Sequence, residues 1–140
     1  MLKKLCLIGI CAMAFSAQAA LTTYGACAGG AGVIVKGLNG TRYCLSNIKM
    51  NWFSAFSWCE AAGGHLASAS EACDNGTEKW RGEYCPNKTL FDMNPTGRAW
   101  TKDMKDPNYY SWAVRGWANG GDISYVTRLD NWYALCAGNY

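Results

Sequence analysis

The stretch from Asn51 to Ala67 carries the clearest hydrophobic pattern in the chain. Apolar side chains recur there at helical spacing and form one stripe: Trp52, Ala55, Phe56, Cys59 and Ala62. Asn51 stands where an N-cap belongs, because its side-chain oxygen can accept from the free amides of the first turn. Gly63 or Gly64 then ends the helix, since glycine adopts the left-handed conformation at little cost. The pattern predicts a helix over 51–64 that buries one face.

A second helix is predicted directly afterwards. His65, Leu66 and Ala67 leave the first helix in an extended direction. The run Ser68-Ala69-Ser70-Glu71 then has the spacing of a capping box, in which the serine and the glutamate each bind the other's backbone amide. The sequence therefore predicts a helix, a short strand and a second helix that begins at Ser68.

Strand signals lie on both sides of the helices. Residues 33–35 and 41–43 are rich in β-branched or aromatic side chains, and Asn39-Gly40 between them is typical of a type I′ hairpin turn. Residues 86–96 are rich in Asn, Asp, Pro and Gly, which indicates irregular chain. Four later runs read as two strands and a terminal hairpin, over 98–101, 109–114, 123–127 and 132–136.

This order of motifs resembles the C-type lectin-like domain. Members of that family have an aromatic-rich first helix with a cysteine, a Gly-Gly-His-Leu-Ala-like exit, here residues 63–67, and a second helix that opens with Ser and Glu. The runs Ala99–Thr101, Tyr110–Val114 and Tyr133–Cys136 are similar to bacterial members of the superfamily. The resemblance spans Tyr43 to Cys136 and implies an α+β class, a C-type lectin-like fold of two helices with small antiparallel sheets, stapled by disulfides. Taken alone, each residue of the helical stripe is explained equally well as core.

The first nineteen residues read as a signal peptide. Lys3-Lys4 is followed by an apolar run and by Ala17-Gln18-Ala19 as a cleavage site. The apolar run is too short to span a bilayer, so no transmembrane anchor is expected. The prediction is a single mature domain over 20–140, with 27–44 as an N-terminal hairpin extension, that is secreted, periplasmic or on the cell surface.

Six cysteines remain after export: Cys27, Cys44, Cys59, Cys73, Cys85 and Cys136. An even number in a small exported domain predicts disulfides, but the sequence alone does not choose among the pairings. Zinc is disfavoured, because the chain has no C-x-x-C pair and only one histidine. The resemblance implies Cys59–Cys136 and Cys27–Cys44, which leaves Cys73 with Cys85.

The charge of the mature chain is nearly balanced. Without Lys3 and Lys4, 11 of the 13 basic residues remain against 10 acidic ones. This balance provides no electrostatic case for binding nucleic acid. The expected partner is a glycan or a protein outside the cytoplasm.

The calcium site of lectin-like domains is the first candidate for a functional site. The family holds calcium with a Glu-Pro-Asn or Gln-Pro-Asp triplet and a Trp-Asn-Asp triplet, whose oxygens suit a hard cation. Asp106-Pro107-Asn108 has a related form, and Asp130-Asn131-Trp132 has the second triplet reversed. An ordinary turn explains Asp106 and Asn108 better. No cofactor is predicted, and calcium at Asp106 and Asn108 stays as the alternative.

A calcium-free site is the preferred interpretation. In this family the segment after the second helix forms the variable binding face. Aromatic rings with polar tips bind sugars or proteins at low entropic cost. The residues of this candidate site are Tyr109, Tyr110, Trp117, Asn119 and Asp122. Trp112, by contrast, is predicted to be core.

No catalytic function is predicted. The single histidine, His65, belongs to the helix exit, and without it no Ser-His-Asp or Cys-His set can be assembled. A carboxylate pair such as Glu78 and Glu83 leaves a small secreted hydrolase as a distant alternative. The sequence is interpreted as an exported binding module of adhesin type for a glycan or protein. The nearer alternative is a structural or inhibitory envelope protein that binds no carbohydrate.

Overall fold

A computed structural model describes residues 23–37, 40–73, 84–85, 97–117 and 120–140 of the 140-residue chain. Of residues 84–85, 115–117 and 120–122 only the backbone is described. The predicted signal peptide, Glu78 and Glu83 lie outside these ranges. None of the described helices is long and apolar enough to cross a membrane.

The described residues form nine strands and two α-helices. A 3-10 turn covers Ala28–Gly30. In chain order the elements are β1 (Ala26–Cys27), β2 (Gly32–Lys36), β3 (Arg42–Met50), α1 (Trp52–Ala61), β4 (His65–Leu66), α2 (Ala69–Ala72), β5 (Tyr84–Cys85), β6 (Arg98–Met104), β7 (Tyr110–Trp117), β8 (Gly120–Thr127) and β9 (Trp132–Ala137).

Both predicted helix starts are confirmed. Asn51 caps α1, since its side chain accepts from the Ser54 amide at 2.9 Å. Gly63 follows the helix with a φ of 84°, a conformation that favours glycine. At α2 the capping box is complete: Ser68 Oγ accepts from the Glu71 amide at 3.0 Å, and Glu71 Oε1 accepts from the Ser68 amide at 2.9 Å. These local signals depend only on neighbours in sequence, which is why the sequence shows them.

The predicted α+β class, a C-type lectin-like fold with small antiparallel sheets, is wrong. The described residues are mostly β and form one sheet with two short helices. Its strand order is β1-β2-β3-β9-β6-β7-β8-β5, and β4 also pairs with β9. The reason is the position of β9, which pairs antiparallel with β3 on one side and parallel with β6 on the other. The last strand thereby joins the N-terminal hairpin and the later strands into one sheet.

Alternating side chains place a core on each face of this sheet. One face packs against α1 and buries Trp52, Cys59, Trp100 and Ala134. The opposite face packs near α2 and contains Tyr43, Trp112, Val114, Ile123 and Leu135. Two buried indole groups donate to backbone carbonyls: Trp100 Nε1 to the Met50 carbonyl at 2.8 Å and Trp52 Nε1 to the Thr101 carbonyl at 2.9 Å. These long-range bonds tie β3, α1 and β6 together.

Two disulfides connect the described elements. Cys27 bonds to Cys44 within the N-terminal hairpin, and Cys59 of α1 bonds to Cys136 of β9. Both pairs agree with those that the resemblance implies. Cys73 is disulfide-bonded as well, while the side chain of its predicted partner, Cys85, lies outside the described part of the chain. Disulfides fit a protein that folds in an oxidising compartment.

Glu71 links the α2 cap to the only histidine. Its Oε2 lies 3.1 Å from His65 Nε2. Partial burial raises the pKa of the Glu71 carboxyl, but hydrogen bonds from Ser68 and the contact with His65 outweigh burial, so the net pKa is below its usual value. The sequence assigns His65 a structural position, and here the histidine contacts a helix cap.

We expect acid to weaken this cap. A carboxyl with a lowered folded-state pKa contributes stability above its unfolded pKa and loses it as the pH falls through the folded value. The melting temperature of the wild type should therefore exceed that of Glu71→Gln at pH 7, and the gap should narrow below about pH 4.5. Glu60→Gln, which removes an exposed glutamate of α1, serves as the control. A gap that stays constant down to pH 2 would contradict the assignment.

Candidate functional site

Strands β7 and β8 carry a surface that we call the tyrosine face. It consists of Lys105, Tyr110, Trp112 and Tyr125. In the antiparallel pairing of the two strands Trp112 is opposite Tyr125, and Tyr110 is opposite Thr127. Directly paired residues and those two positions away share one face of a sheet. The register therefore brings together rings that are far apart in sequence.

The tyrosine face continues the buried core into solvent. Val114 and Ile123, further along the same face of the strands, are 3% and 1% exposed. Trp112 is 6% exposed, whereas Tyr110 and Tyr125 are 37% and 51% exposed. The apolar stripe thus ends in two accessible rings that stand on a rigid, packed base.

The rings hold one another edge to face. The Tyr110 and Tyr125 centroids are 5.4 Å apart with an interplanar angle of 77°, and those of Trp112 and Tyr125 are 5.7 Å apart at 90°. Such T-shaped contacts favour a fixed ring orientation. The two tyrosine rings therefore form a corner rather than a flat surface.

Lys105 places a positive charge beside these rings. Its Nζ lies 5.6 Å from the centroid of Trp112 and 5.6 Å from that of Tyr125. An ammonium at this distance from two ring faces is attracted by their quadrupoles. The lysine is exposed, so its charge is available to a ligand.

The loop before β7 is organised by Asp106. Its Oδ1 accepts from the amides of Asn108, Tyr109 and Tyr110 at 2.9, 2.6 and 3.3 Å. The hydrogen bond from the Tyr109 amide is the main cause that holds the pKa of the Asp106 carboxyl below its usual value. This oxygen therefore holds the turn that the sequence predicts at Asp106 and Asn108. Among the residues that the structure describes, no group of three His, Cys, Asp or Glu side chains could hold a metal ion.

Arg128 anchors the same loop from beneath the sheet. It is 5% exposed and donates to Ser111 Oγ at 2.9 Å, to the Pro107 carbonyl at 3.1 Å and to the Tyr110 carbonyl at 3.1 Å. It also donates to the Asp106 carbonyl, and its guanidinium lies 4.8 Å from the Trp52 ring centroid. Arg128 therefore fixes where β7 begins and, with it, the position of Tyr110.

The five residues of the predicted calcium-free site are divided by the structure. Tyr109 is 69% exposed at the loop, and Tyr110 belongs to the tyrosine face. Trp117 is at the other end of β7, roughly 23 Å away at the usual rise per residue. Asp122 pairs through its backbone at that end. The side chains of Trp117 and Asp122, and all of Asn119, lie outside the described residues.

Two members of the tyrosine face, and the arginine that anchors its loop, were missed in the sequence. Tyr125 and Lys105 show their role only when the strands are placed in register, since neither belongs to a recognised motif. The alternation Ile123, Tyr125, Thr127 opposite Tyr110, Trp112, Val114 was the available signal for Tyr125. Arg128 follows a strand and precedes a polar turn, and nothing in the sequence distinguishes it from an exposed arginine.

Comparison with known proteins found neither a family model nor a curated protein that matches the chain.

Proposed function

We propose that the protein is an exported binding module that recognises its ligand on the tyrosine face without calcium. The observation that carries this proposal is the pair of exposed, mutually oriented tyrosine rings on a buried tryptophan base. Amphipathic rings whose conformation is already ordered bind a ligand with little loss of entropy.

A glycan array and titration calorimetry test this function. The mature protein is applied to the array once with calcium and once with a chelator, and the affinity for a bound glycan is then measured. Combined replacement Tyr110→Ser and Tyr125→Ser should raise the dissociation constant about tenfold or more, because two stacking rings are lost. Binding in the chelator should equal binding in calcium.

Tyr24→Ser is the matched control, since Tyr24 is an exposed tyrosine, 42% accessible, near β1. This variant should bind like the wild type. Circular dichroism confirms that all variants are folded. Equal binding by the double variant, or binding that disappears in the chelator, would refute the proposal.

A protein ligand is the second candidate, favoured by apolar side chains on another part of the surface. Leu129 and Phe53 are 79% and 56% exposed, and the amide of Trp52 donates to the carbonyl of Arg128 at 3.0 Å, which brings their segments together. Two exposed apolar side chains on adjoining segments offer area that contact with a protein would bury. Leu129→Ser should weaken capture of a purified envelope partner without changing glycan binding, whereas the tyrosine double variant should do the reverse.

A further inference from the structure

The acidic residues on either side of Lys105 in sequence both accept hydrogen bonds from backbone amides. Asp103 Oδ2 accepts from the Ala69 amide at 2.6 Å, and Asp106 Oδ1 accepts from three amides of its own loop. A carboxylate that satisfies backbone amides is stabilised in place. Among the described side chains, neither aspartate forms an ion pair with a lysine.

The lysines of the same segment are left without a carboxylate. Lys102 and Lys105 are exposed, and among the described side chains the one ion pair is between His65 and Glu71. The segment thus presents two ammonium groups to solvent, one of which, Lys105, is oriented by Trp112 and Tyr125. Lys105 therefore offers an ammonium group that pairs with no carboxylate among the described side chains and can bind a negatively charged group of a ligand.

The shape of the tyrosine face favours a saccharide over an acidic peptide. Its exposed surface consists of two phenol rings at 77° to each other. Met104 pairs with Ser111, and the Ser111 hydroxyl binds Arg128 on the other face of the sheet, so Met104 is placed away from the rings. A sugar offers an apolar C–H side to a ring and hydroxyls to the phenol oxygens, so the two tyrosines can bind it without the aliphatic contact that Met104 would add on the same face.

We propose that the tyrosine face binds an acidic saccharide, with a sugar ring in the corner between Tyr110 and Tyr125 and its carboxylate or sulfate paired with Lys105. This assignment rests on the proposed function. It adds that the ligand is negatively charged and that Lys105 binds the charged group. Lys105 Nζ is close enough to the Tyr125 ring to reach an anionic substituent of a sugar stacked there. Because the ion pair forms beside two rings rather than in open solvent, it contributes more than an ordinary surface pair.

The test uses saccharides that differ only in charge. Oligogalacturonate is compared with its methyl ester, sialyllactose with its methyl ester, and a heparin oligosaccharide with its desulfated form, so that carboxylate and sulfate are distinguished. The wild type should bind at least one acidic member about fivefold more tightly than its neutral counterpart. Lys105→Gln should abolish this preference, and Lys105→Arg should keep it.

Lys36→Gln is the control for net charge, since it removes one positive charge from β2. It should leave the preference unchanged. An equal loss in Lys36→Gln and Lys105→Gln would show an unspecific charge effect and overturn the assignment. Equal affinity for acidic and neutral members, both lost in the tyrosine double variant, would overturn it while the proposed function stands. If the protein binds a polyglutamate peptide through Lys105 and binds none of the saccharides, the ligand is a peptide and the saccharide assignment is overturned.

Discussion

Replacing Cys59 and Cys136 together by alanine should lower the free energy of unfolding by about 4 kcal/mol. The disulfide closes a loop of 77 residues, and the loss of chain entropy in the unfolded state grows with the logarithm of that length. Both cysteines are fully buried, so alanine avoids placing a new hydroxyl in the core. For a domain of this size the expected fall in melting temperature is roughly 15 °C.

The second disulfide provides the matched comparison. Cys27 and Cys44 are separated by 17 residues, for which the same reasoning predicts a loss of about 3 kcal/mol. Urea denaturation of both double variants measures the two losses directly. The Cys59–Cys136 variant should be the less stable of the two, because its bond joins α1 to the central strand β9, whereas Cys27–Cys44 joins β1 and β3 at the N-terminal end of the sheet. A larger loss for the Cys27–Cys44 variant would contradict this ranking.

The helix caps were predictable because their physics is local. The cap hydrogen bonds of Asn51, Ser68 and Glu71 all join residues three positions apart, so the spacing in the sequence contains the whole cap. The helical stripe was informative for the same reason. Its members Trp52, Ala55 and Cys59 are buried together.

The single sheet was not predictable, because it depends on pairings across the whole chain. β9 lies between β3 and β6, and no turn signal connects it to either strand. A strand pattern shows which residues share a face of the strand, but it does not show which other strand will pair with it. Small separate sheets were therefore predicted where one sheet exists.

The candidate site was found only in part for a related reason. Tyr110 was recognised as an aromatic residue of a predicted strand, but its contact with Tyr125 follows from the register of β7 and β8. Trp117 was grouped with it by closeness in sequence. Seven residues along an extended strand separate the two positions in space.

Replacing Arg128 by methionine should destabilise the protein by about 3 kcal/mol. Methionine retains an apolar stem against the Trp52 ring but has no donor for Ser111 Oγ or for the carbonyls of Asp106, Pro107 and Tyr110. Buried acceptors that lose their partner cost free energy because water does not replace it fully. Lysine at this position should recover only part of the loss, since one ammonium does not reproduce the planar fork of a guanidinium.

The loop next to the tyrosine face should report this loss directly. Arg128 binds three carbonyls of residues 106–110. In the wild type the amides of Asn108, Tyr109 and Tyr110 donate to Asp106 Oδ1, and removal of the arginine should speed hydrogen exchange at these amides. Ligand affinity should fall in parallel, because Tyr110 loses its fixed position against Tyr125. Arg42→Met removes an exposed arginine of β3 and should change stability by less than about 0.5 kcal/mol. Unchanged exchange at residues 108–110 in the Arg128 variant would show that the loop is held by Asp106 alone, and the anchoring role of the arginine would be refuted.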